Sequence, residues 1–310
     1  MNFFASNEFL GVLADTYFPG RYARIANVAI DGEVLRLLVV DDRRLVTDVP
    51  FLDYHVPLAG GDIGIVEHWD RYVPWVMRRA IASEDRHGVA PGLLLSPYID
   101  WSMFASYADY DKFIRSRHAA SLGKLRRLRR RLEERHGPLE FCADDRRRDV
   151  LAFAMKWSQQ FRATGIPGLF ADPNHVRFFD NLLERNLLVT SSLRVGGRLL
   201  SVWLGFVHDQ VRSGWIFTYD HDPAVGRYSI GHQLLQSMLK HSFASGHREF
   251  DHSVGAHEYK WMYATHARVL GPLGHRRRSA RELARNALEF VRLLESARSL
   301  KRAVRRLTRY

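Results

Sequence analysis

The stretch Tyr228 to Tyr263, YSIGHQLLQSMLKHSFASGHREFDHSVGAHEYKWMY, constrains the fold of this chain more than any other. Leu234, Leu235, Met238, Leu239 and Phe243 recur at helical spacing, which predicts a helix with one buried face. Ser229 is placed to cap it, its hydroxyl accepting a free N–H of the first turn. Gly246 is placed to end it. Arg248-Glu249-Phe250-Asp251 follows as a short strand, then Gly255 and a Tyr259-Lys260-Trp261 loop. Free N–H groups and the helix dipole make such a helix N-terminus an anion site. Gly231 leaves room for an anion to approach, and a pyrophosphate is one suitable guest.

The chain leading to this stretch alternates helices and strands. Phe9 to Phe18 has helical spacing. Ala23 to Ile30 and Val34 to Val40 read as strands joined at Asp31-Gly32-Glu33, with Arg43 to Val49 as another strand. Phe51 to Pro57 reads as a polar and aromatic loop, Trp69 to Ala82 as a helix, and Gly92 to Tyr98 as a buried strand. Tyr107 to His136 is a long basic helix, with Leu122, Leu125, Leu128 and Leu132 as its apolar stripe. After Gly137-Pro138 come a strand (Leu139 to Ala143) and two helices (Arg146 to Gln160 and Pro173 to Asn186). Three antiparallel strands follow: Leu187 to Val195, Arg198 to His208 and Arg212 to Tyr219. Gly196-Gly197 makes the first turn between them. Trp215, Phe217 and Tyr219 are expected to form one aromatic face.

The 310 residues, 46% of them apolar, suffice for two domains with sizeable cores. No apolar run approaches the roughly 20 residues that cross a bilayer, and the acidic N-terminus is a poor signal peptide. Cys142 is the single cysteine, which excludes an internal disulfide or a cysteine-built metal cluster and suits a reducing cytoplasm. The formal charge is +12, concentrated in two runs. Arg115 to Arg135 holds nine Lys/Arg against two Glu, and His275 to Tyr310 holds twelve against three. Such runs attract phosphates, anionic membranes or nucleic acid, or else form solvated helix faces. His208, Asp209, Asp220, His221 and Asp222 show no metal-ligand spacing. No Gly-x-Ser-x-Gly elbow accompanies Asp251-His252-Ser253, so hydrolysis is not indicated.

Tyr228-Ser229-Ile230-Gly231, Gly246, Phe250-Asp251, Gly255 and Tyr259-Lys260 together resemble, in order and spacing, the GNAT superfamily of N-acetyltransferases. More narrowly, they are similar to the acetyltransferases of cellulose and exopolysaccharide biosynthesis, neighbours of the FemAB aminoacyl transferases. The resemblance runs back to about Arg115. It implies an α/β (α+β) fold of tandem GNAT-like halves with mixed central sheets, at 1–110 and 111–272, followed by a basic helical tail at 273–310. It implies acetyl-CoA or another acyl-CoA as donor, no metal, and a sugar, amino-sugar or amino-acid-type acceptor such as a glycan precursor. Arg227, Tyr228, Ser229, Ile230, Gly231 and His232 would bind the donor, while Asp53, Tyr54, Trp157, Tyr219 and Tyr259 would line the acceptor side. Lys260 matches a lysine that in FemAB relatives stabilises the oxyanion of acyl transfer. Asp220 or His221 would take the proton of the attacking amine.

The chain departs from the family pattern at the donor loop. Arg227 stands one residue too far from Gly231, and His232 and Gln233 occupy positions where small residues are usual. Two further readings therefore stay open. One is a transferase that, like FemAB proteins, takes its acyl group from aminoacyl-tRNA. The other is a non-catalytic module that keeps the fold and docks through its tail. In that tail Leu283, Ala287, Val291, Leu294, Ala297, Val304 and Leu307 recur at near-helical spacing between arginines. The resulting amphipathic helix either packs on the parent domain or rests on an anionic bilayer, which would set a cytoplasmic protein at the inner membrane.

Overall fold

The structure is a computed structural model, and it describes residues 2–30, 33–46, 51, 52, 54, 55, 58, 63–65, 94–146, 148–155, 170, 172–255 and 257–271. After a short 3-10 turn, Phe3–Ala5, the elements in chain order are α1 (Asn7–Tyr17), β1 (Ala23–Ile30), β2 (Glu33–Val40), β3 (Arg44–Val46), β4 (Ile63–Ile65) and β5 (Leu94–Asp100). Then come α2 (Tyr107–His136), β6 (Leu139–Cys142), α3 (Arg148–Met155), α4 (Pro173–Glu184), β7 (Val189–Val195), β8 (Arg198–His208) and β9 (Val211–Tyr219). The last are α5 (Pro223–Gly226), α6 (Ile230–Ala244), β10 (Glu249–Asp251), α7 (Glu258–Trp261) and β11 (His266–Gly271). The helix expected at Trp69 to Ala82 and the basic tail lie outside the described residues.

The strands form two sheets, and the fold is the mixed α/β arrangement that the sequence implies. β1, β2 and β3 make a small antiparallel sheet, with Ala23 opposite Val40 and Leu38 opposite Val46. The other eight lie in one mixed sheet, ordered β4-β11-β5-β10-β9-β8-β7-β6. Only β4–β11 and β9–β10 pair in parallel among its described strands. β5 belongs to the N-terminal third, yet it sits between β10 and β11 and pairs antiparallel with both. It runs to Asp100, further than the expected end at Tyr98, because Pro97 sits opposite Ala267 and its carbonyl accepts the His252 N–H.

Alternation along β8 divides the core between two faces. Val202, Leu204 and Phe206 join an aromatic cluster built from Phe3, Phe4 and Phe9, Phe51, and Phe178 and Phe179 of α4. Trp203 points the other way, into the cluster under α2 and α6 with Leu125, Leu234, Met238 and Phe250. The basic helix α2 begins at Ser106, whose hydroxyl accepts the Asp109 N–H at 3.2 Å. It buries Leu122, Leu125 and Leu132 from the predicted stripe, and ends at Gly137 with φ 98°. His118 breaks its helical backbone (φ −138°, ψ 35°), so the helix has two limbs.

The aromatic strand departs from expectation. Leu204 pairs with Ile216 and Gly205 with Gly214, which leaves Trp215 as the extra residue of a β-bulge. Trp215 packs into the phenylalanine cluster, whereas Phe217 and Tyr219 pack on the opposite side with Trp203. The three aromatics thus do not share one face. Gly205 is required at the bulge: a Cβ there would stand 1.9 Å from the Ser213 carbonyl oxygen. Gly205→Ala is expected to cost at least the ~1–3 kcal/mol of ordinary overpacking, read as a lowered midpoint in urea denaturation. An unchanged midpoint would show that the strands are not held in this register.

Candidate functional site

The site grows from the way β10 leaves β9. The two strands are paired only at Glu249–Val211, Phe250–Arg212 and Asp251–Ser213. Beyond this, β10 ends and the chain turns at Ser253 (φ 60°), while β9 continues to Tyr219. The divergence opens a cleft beside the first turn of α6. His232 and Gln233 donate their N–H groups to the Ser229 carbonyl at 3.0 and 3.2 Å, while those of Ile230 and Gly231 have no acceptor among the described residues. Two donors and the positive end of a 15-residue helix therefore face this end of the cleft. Arg227 adds an exposed guanidinium, stacked over the Tyr228 ring at 5.0 Å and donating to its hydroxyl at 3.0 Å.

Two features of this turn correct the sequence reading. Ser229 does not cap α6 with its hydroxyl; it precedes the helix in a left-handed conformation, φ 55° and ψ 49°. Gly231 is small because of a ring: a Cβ would lie 2.5 Å from Cζ of Phe217. The bulky neighbours are spent on packing. His232 Nδ1 meets the Tyr263 hydroxyl at 3.1 Å, and its ring lies 6.3 Å from that of Tyr259. Gln233 is fully buried and donates to the Leu125 carbonyl at 3.0 Å, pinning α6 to α2.

The far wall is the β10–α7 loop. Lys260 is 5% exposed, and its ammonium donates to the Ser253 and Val254 carbonyls at 3.0 and 2.7 Å. It is not a surface lysine: its charge is fixed at the β10–α7 loop by the two carbonyls. Gly255, at φ 103°, passes close by, its Cβ position 3.9 Å from Nζ.

Behind the loop lies a buried polar knot. Asp251 is 1% exposed. Its Oδ1 accepts the Ser253 N–H at 2.8 Å and the Ser96 hydroxyl at 3.1 Å, and its Oδ2 accepts the Tyr54 hydroxyl. Burial, then the Asp251 charge, pushes the Tyr54 phenol well above its ordinary range. Tyr54, expected at the acceptor side, is thus a buried brace. Beside it Arg268 donates to Glu249 at 2.5 Å and lies 4.1 Å from the Tyr98 ring centroid. Burial pushes the Glu249 carboxyl up, against the pull of Arg268.

The remaining candidates scatter. Asp220 accepts from Arg198 at 2.6 Å and from the Asp222 N–H at 2.9 Å, so its carboxylate is already engaged. His221 is exposed at the mouth of the cleft, 4.3 Å from the Tyr219 ring. His208 and Asp209 lie at the other end of β9 from Asp220 to Asp222, so these groups do not converge. Asp53 and Trp157 lie outside the described residues. Short contacts link the others in pairs: Tyr219 with His221, Arg227 with Tyr228, Gly231 with Phe217, and His232 with Tyr259.

Sequence reasoning weighed His252 only as part of an Asp-His-Ser run. It is 1% exposed, its ring 5.0 Å from Phe250, and neither ring nitrogen has a hydrogen-bond partner among the described residues. Burial, reinforced by the Lys260 charge, pushes its pKa down to about 3. It bonds neither Asp251 nor Ser253, so the Asp-His-Ser run is no hydrolytic triad.

The model of the acetyltransferase (GNAT) domain matches residues 119–261. This part of the chain is similar to a GNAT-type acyltransferase domain. The match takes in the limb of α2 that follows His118, the three-strand meander, α6, β10 and Lys260. FemX has the same overall fold, with a TM-score of 0.50 and 11% identity over 88% of this chain and 91% of that one. The C-terminal domain of a putative lysylphosphatidylglycerol synthetase from Agrobacterium fabrum superposes with a TM-score of 0.40 and 12% identity, over 84% and 90% of the two chains. No curated protein matches by sequence. Among the described residues no helix is long and apolar enough to cross a membrane.

The state of His252 gives a pH dependence. Unfolded, the imidazole returns to the ordinary 6.5; folded, it holds no proton until about 3. Between these values the unfolded chain binds the extra proton, so stability is full above 6.5 and falls as pH drops toward 3. His252→Phe is expected to flatten the fall in melting temperature between pH 7 and pH 5. An equally steep fall in the variant would show that this histidine is accessible to protons in the fold.

Proposed function

We propose that this protein is an N-acyltransferase that takes its acyl group from acyl-CoA. The observation that carries the reading is the parting of β9 and β10 beside the unsatisfied N-terminus of α6, inside the matched domain. The N–H groups of Ile230 and Gly231 and the guanidinium of Arg227 would hold the pyrophosphate. The pantetheine arm would run between β9 and the β10–α7 loop, past Tyr219 and Tyr259. There the acceptor amine attacks the thioester carbon, the C–N bond forms and the thiolate leaves. Lys260, fixed by two carbonyls, offers positive charge to the oxyanion without reorganising. His221 is the group at the cleft mouth with an exposed imidazole to take the amine proton. The acceptor is read as a sugar, amino-sugar or amino-acid amine of a surface-polysaccharide precursor, on the strength of the family resemblance alone.

One observation favours a second donor. His232 and Gln233 fill the positions where small residues flank a coenzyme A pyrophosphate, and Gln233 is locked in the α2–α6 interface. An aminoacyl ester on tRNA needs no pyrophosphate cradle, and FemX is similar in fold over 88% of this chain. Titration calorimetry with acetyl-CoA and with aminoacyl-tRNA separates the two; heat from neither leaves the non-catalytic reading.

Arg227→Glu tests the donor end better than a substitution at Gly231, where any side chain meets Phe217. Arg227 is exposed, so the fold should persist while acetyl-CoA affinity drops tenfold or more. Unchanged affinity would remove the pyrophosphate from this turn.

Lys260→Met is expected to lower single-turnover rates by roughly 2.7–4 kcal/mol in the barrier, the usual loss for one oxyanion donor, with a smaller change in donor affinity. Because Lys260 also anchors the loop, Lys260→Arg is the control, and it should recover part of the rate. Full activity in the methionine variant would leave the lysine a purely structural role.

A further inference from the structure

His252 is a buried polar group that the acyl-transfer reading leaves without a task. Its place follows from the alternation of β10: Phe250 and His252 share one side of the strand, Glu249 and Asp251 the other. The imidazole therefore lies against the Phe250 ring, on the side of the sheet that α6 covers. Neither ring nitrogen has a hydrogen-bond partner among the described residues. A buried polar group left in this state is costly, and the fold carries that cost next to Lys260.

The backbone couples the imidazole to the ammonium. Lys260 Nζ is held by the carbonyls of Ser253 and Val254, the two residues that follow His252. A shift of His252 thus moves the seat of the ammonium. Few bonds tie this segment down. The His252 N–H donates to the Pro97 carbonyl at 3.0 Å, and the Gly255 N–H to the Leu95 carbonyl at 2.9 Å. β10 itself pairs with β5 and β9 only through Glu249, Phe250 and Asp251. Release of the segment leaves that pairing in place, so it is a local opening and not an unfolding of the sheet.

A proton on His252 favours that opening. In the closed state an imidazolium would sit in a dry site beside the Lys260 ammonium; burial, then that charge, holds the imidazole neutral down to about pH 3. In the open state the ring meets water and its pKa returns to 6.5. Between these values the open state binds one more proton, so its share rises about tenfold for each pH unit below 6.5. Most neighbouring charges face elsewhere. Glu249 and Asp251 point to the other side of β10, bonded to Arg268 and to Tyr54 and Ser96. Tyr98 of β5 lies on that side too, against Arg268 and His266. On the His252 side, Arg212 of β9 turns to the Ser191 hydroxyl at 2.7 Å, and burial pushes the phenols of Tyr259 and Tyr263 up, out of this range. His232 of α6, pushed down by burial, and His257 of the loop are the remaining histidines near this segment.

We propose that His252 is a positioning residue for Lys260 and works as an acid-operated latch: on taking a proton its imidazole leaves the core, the Ser253–Val254 turn moves with it, and the ammonium loses its seat. That the ammonium serves acyl transfer rests on the reading above; its release from the two carbonyls does not.

The test is amide hydrogen exchange of the full chain between pH 7 and pH 5, corrected for the intrinsic pH dependence of exchange. It is read at Gly255 and Lys260 and, for comparison, along β8. Protection at the two loop amides should fall about tenfold per unit below pH 6.5 while β8 keeps its own. His252→Gln and His252→Phe remove the titration, and loop protection in them should not change with pH; melting temperatures show that each variant is folded. His232→Gln and His257→Gln should retain the fall. Equal loop protection at pH 7 and pH 5 in the wild-type chain would overturn the proposal, and this needs no variant. So would a fall that β8 shares, one that survives in a folded His252 variant, or one that disappears in His257→Gln or His232→Gln. The acid limb of single-turnover acetyl transfer should also move to lower pH in His252→Gln, with acetyl-CoA affinity unchanged. Acetyl transfer by a chain whose loop exchange ignores pH would keep the donor reading and sink the latch. A loop that opens with acid in a chain that does not use acetyl-CoA would keep the latch and sink that donor.

Discussion

The buried carboxylate of Asp251 is the interaction on which the rest of the molecule depends. A lone carboxylate this deep is costly, and what makes it tolerable is full hydrogen bonding. Its three donors come from three places: Tyr54 from the N-terminal third, Ser96 from β5, and the Ser253 N–H from the loop that follows β10. One side chain therefore joins the N-terminal third to the loop that follows β10. The carbonyls that hold Lys260 belong to Ser253 itself and to Val254. The position of the cation at the cleft thus follows from the satisfaction of a buried charge behind it.

The cleft also depends on two departures from regular structure. The Trp215 bulge lets β9 contribute a ring to one core and two to the other. It sits next to the point where β10 parts from β9. Gly231 then lets α6 settle onto Phe217, which sets how close the helix N-terminus comes to the strand. A strand that twists away, a helix that sits close and a loop clamped by a lysine together make a pocket with positive charge at each end.

Much of this was legible in the residues because it rests on local physics. The leucine stripe of α2, the Gly196-Gly197 hairpin, the strands of the meander and the stop at Gly246 (φ 69°) all follow from periodicity and backbone preference. The parts that were not legible are long-range. No local pattern tells that Pro97 continues a strand, since the partners that tolerate it lie more than 150 residues away. A bulge shifts alternation by one residue without changing composition, so Trp215 read as facing with Phe217. Ser229 and Gly231 carry the residue types of a cap and an anion turn, but left-handed backbone and a neighbouring ring account for them. Asp220 looked like a free base because Arg198, 22 residues earlier, is its partner only after β8 and β9 have paired. His252 was visible as a histidine, but its burial and empty hydrogen-bonding positions exist only in the fold.

The place of β5 has a consequence for how the chain reaches this state. The strand leaves the ribosome long before β10 and β11, yet it lies between them and pairs with nothing else among the described strands. Until Glu249 and His266 have been synthesised, its edges are open and its apolar residues have no lasting neighbour. Closure of the sheet must then join segments about 150 residues apart, a step with a high loop entropy that favours slow assembly. During that interval an unpaired strand is a template for other chains. The insertion that ties the N-terminal third to β10 and β11 is thus also the point at which a nascent chain is most open to pairing with other chains.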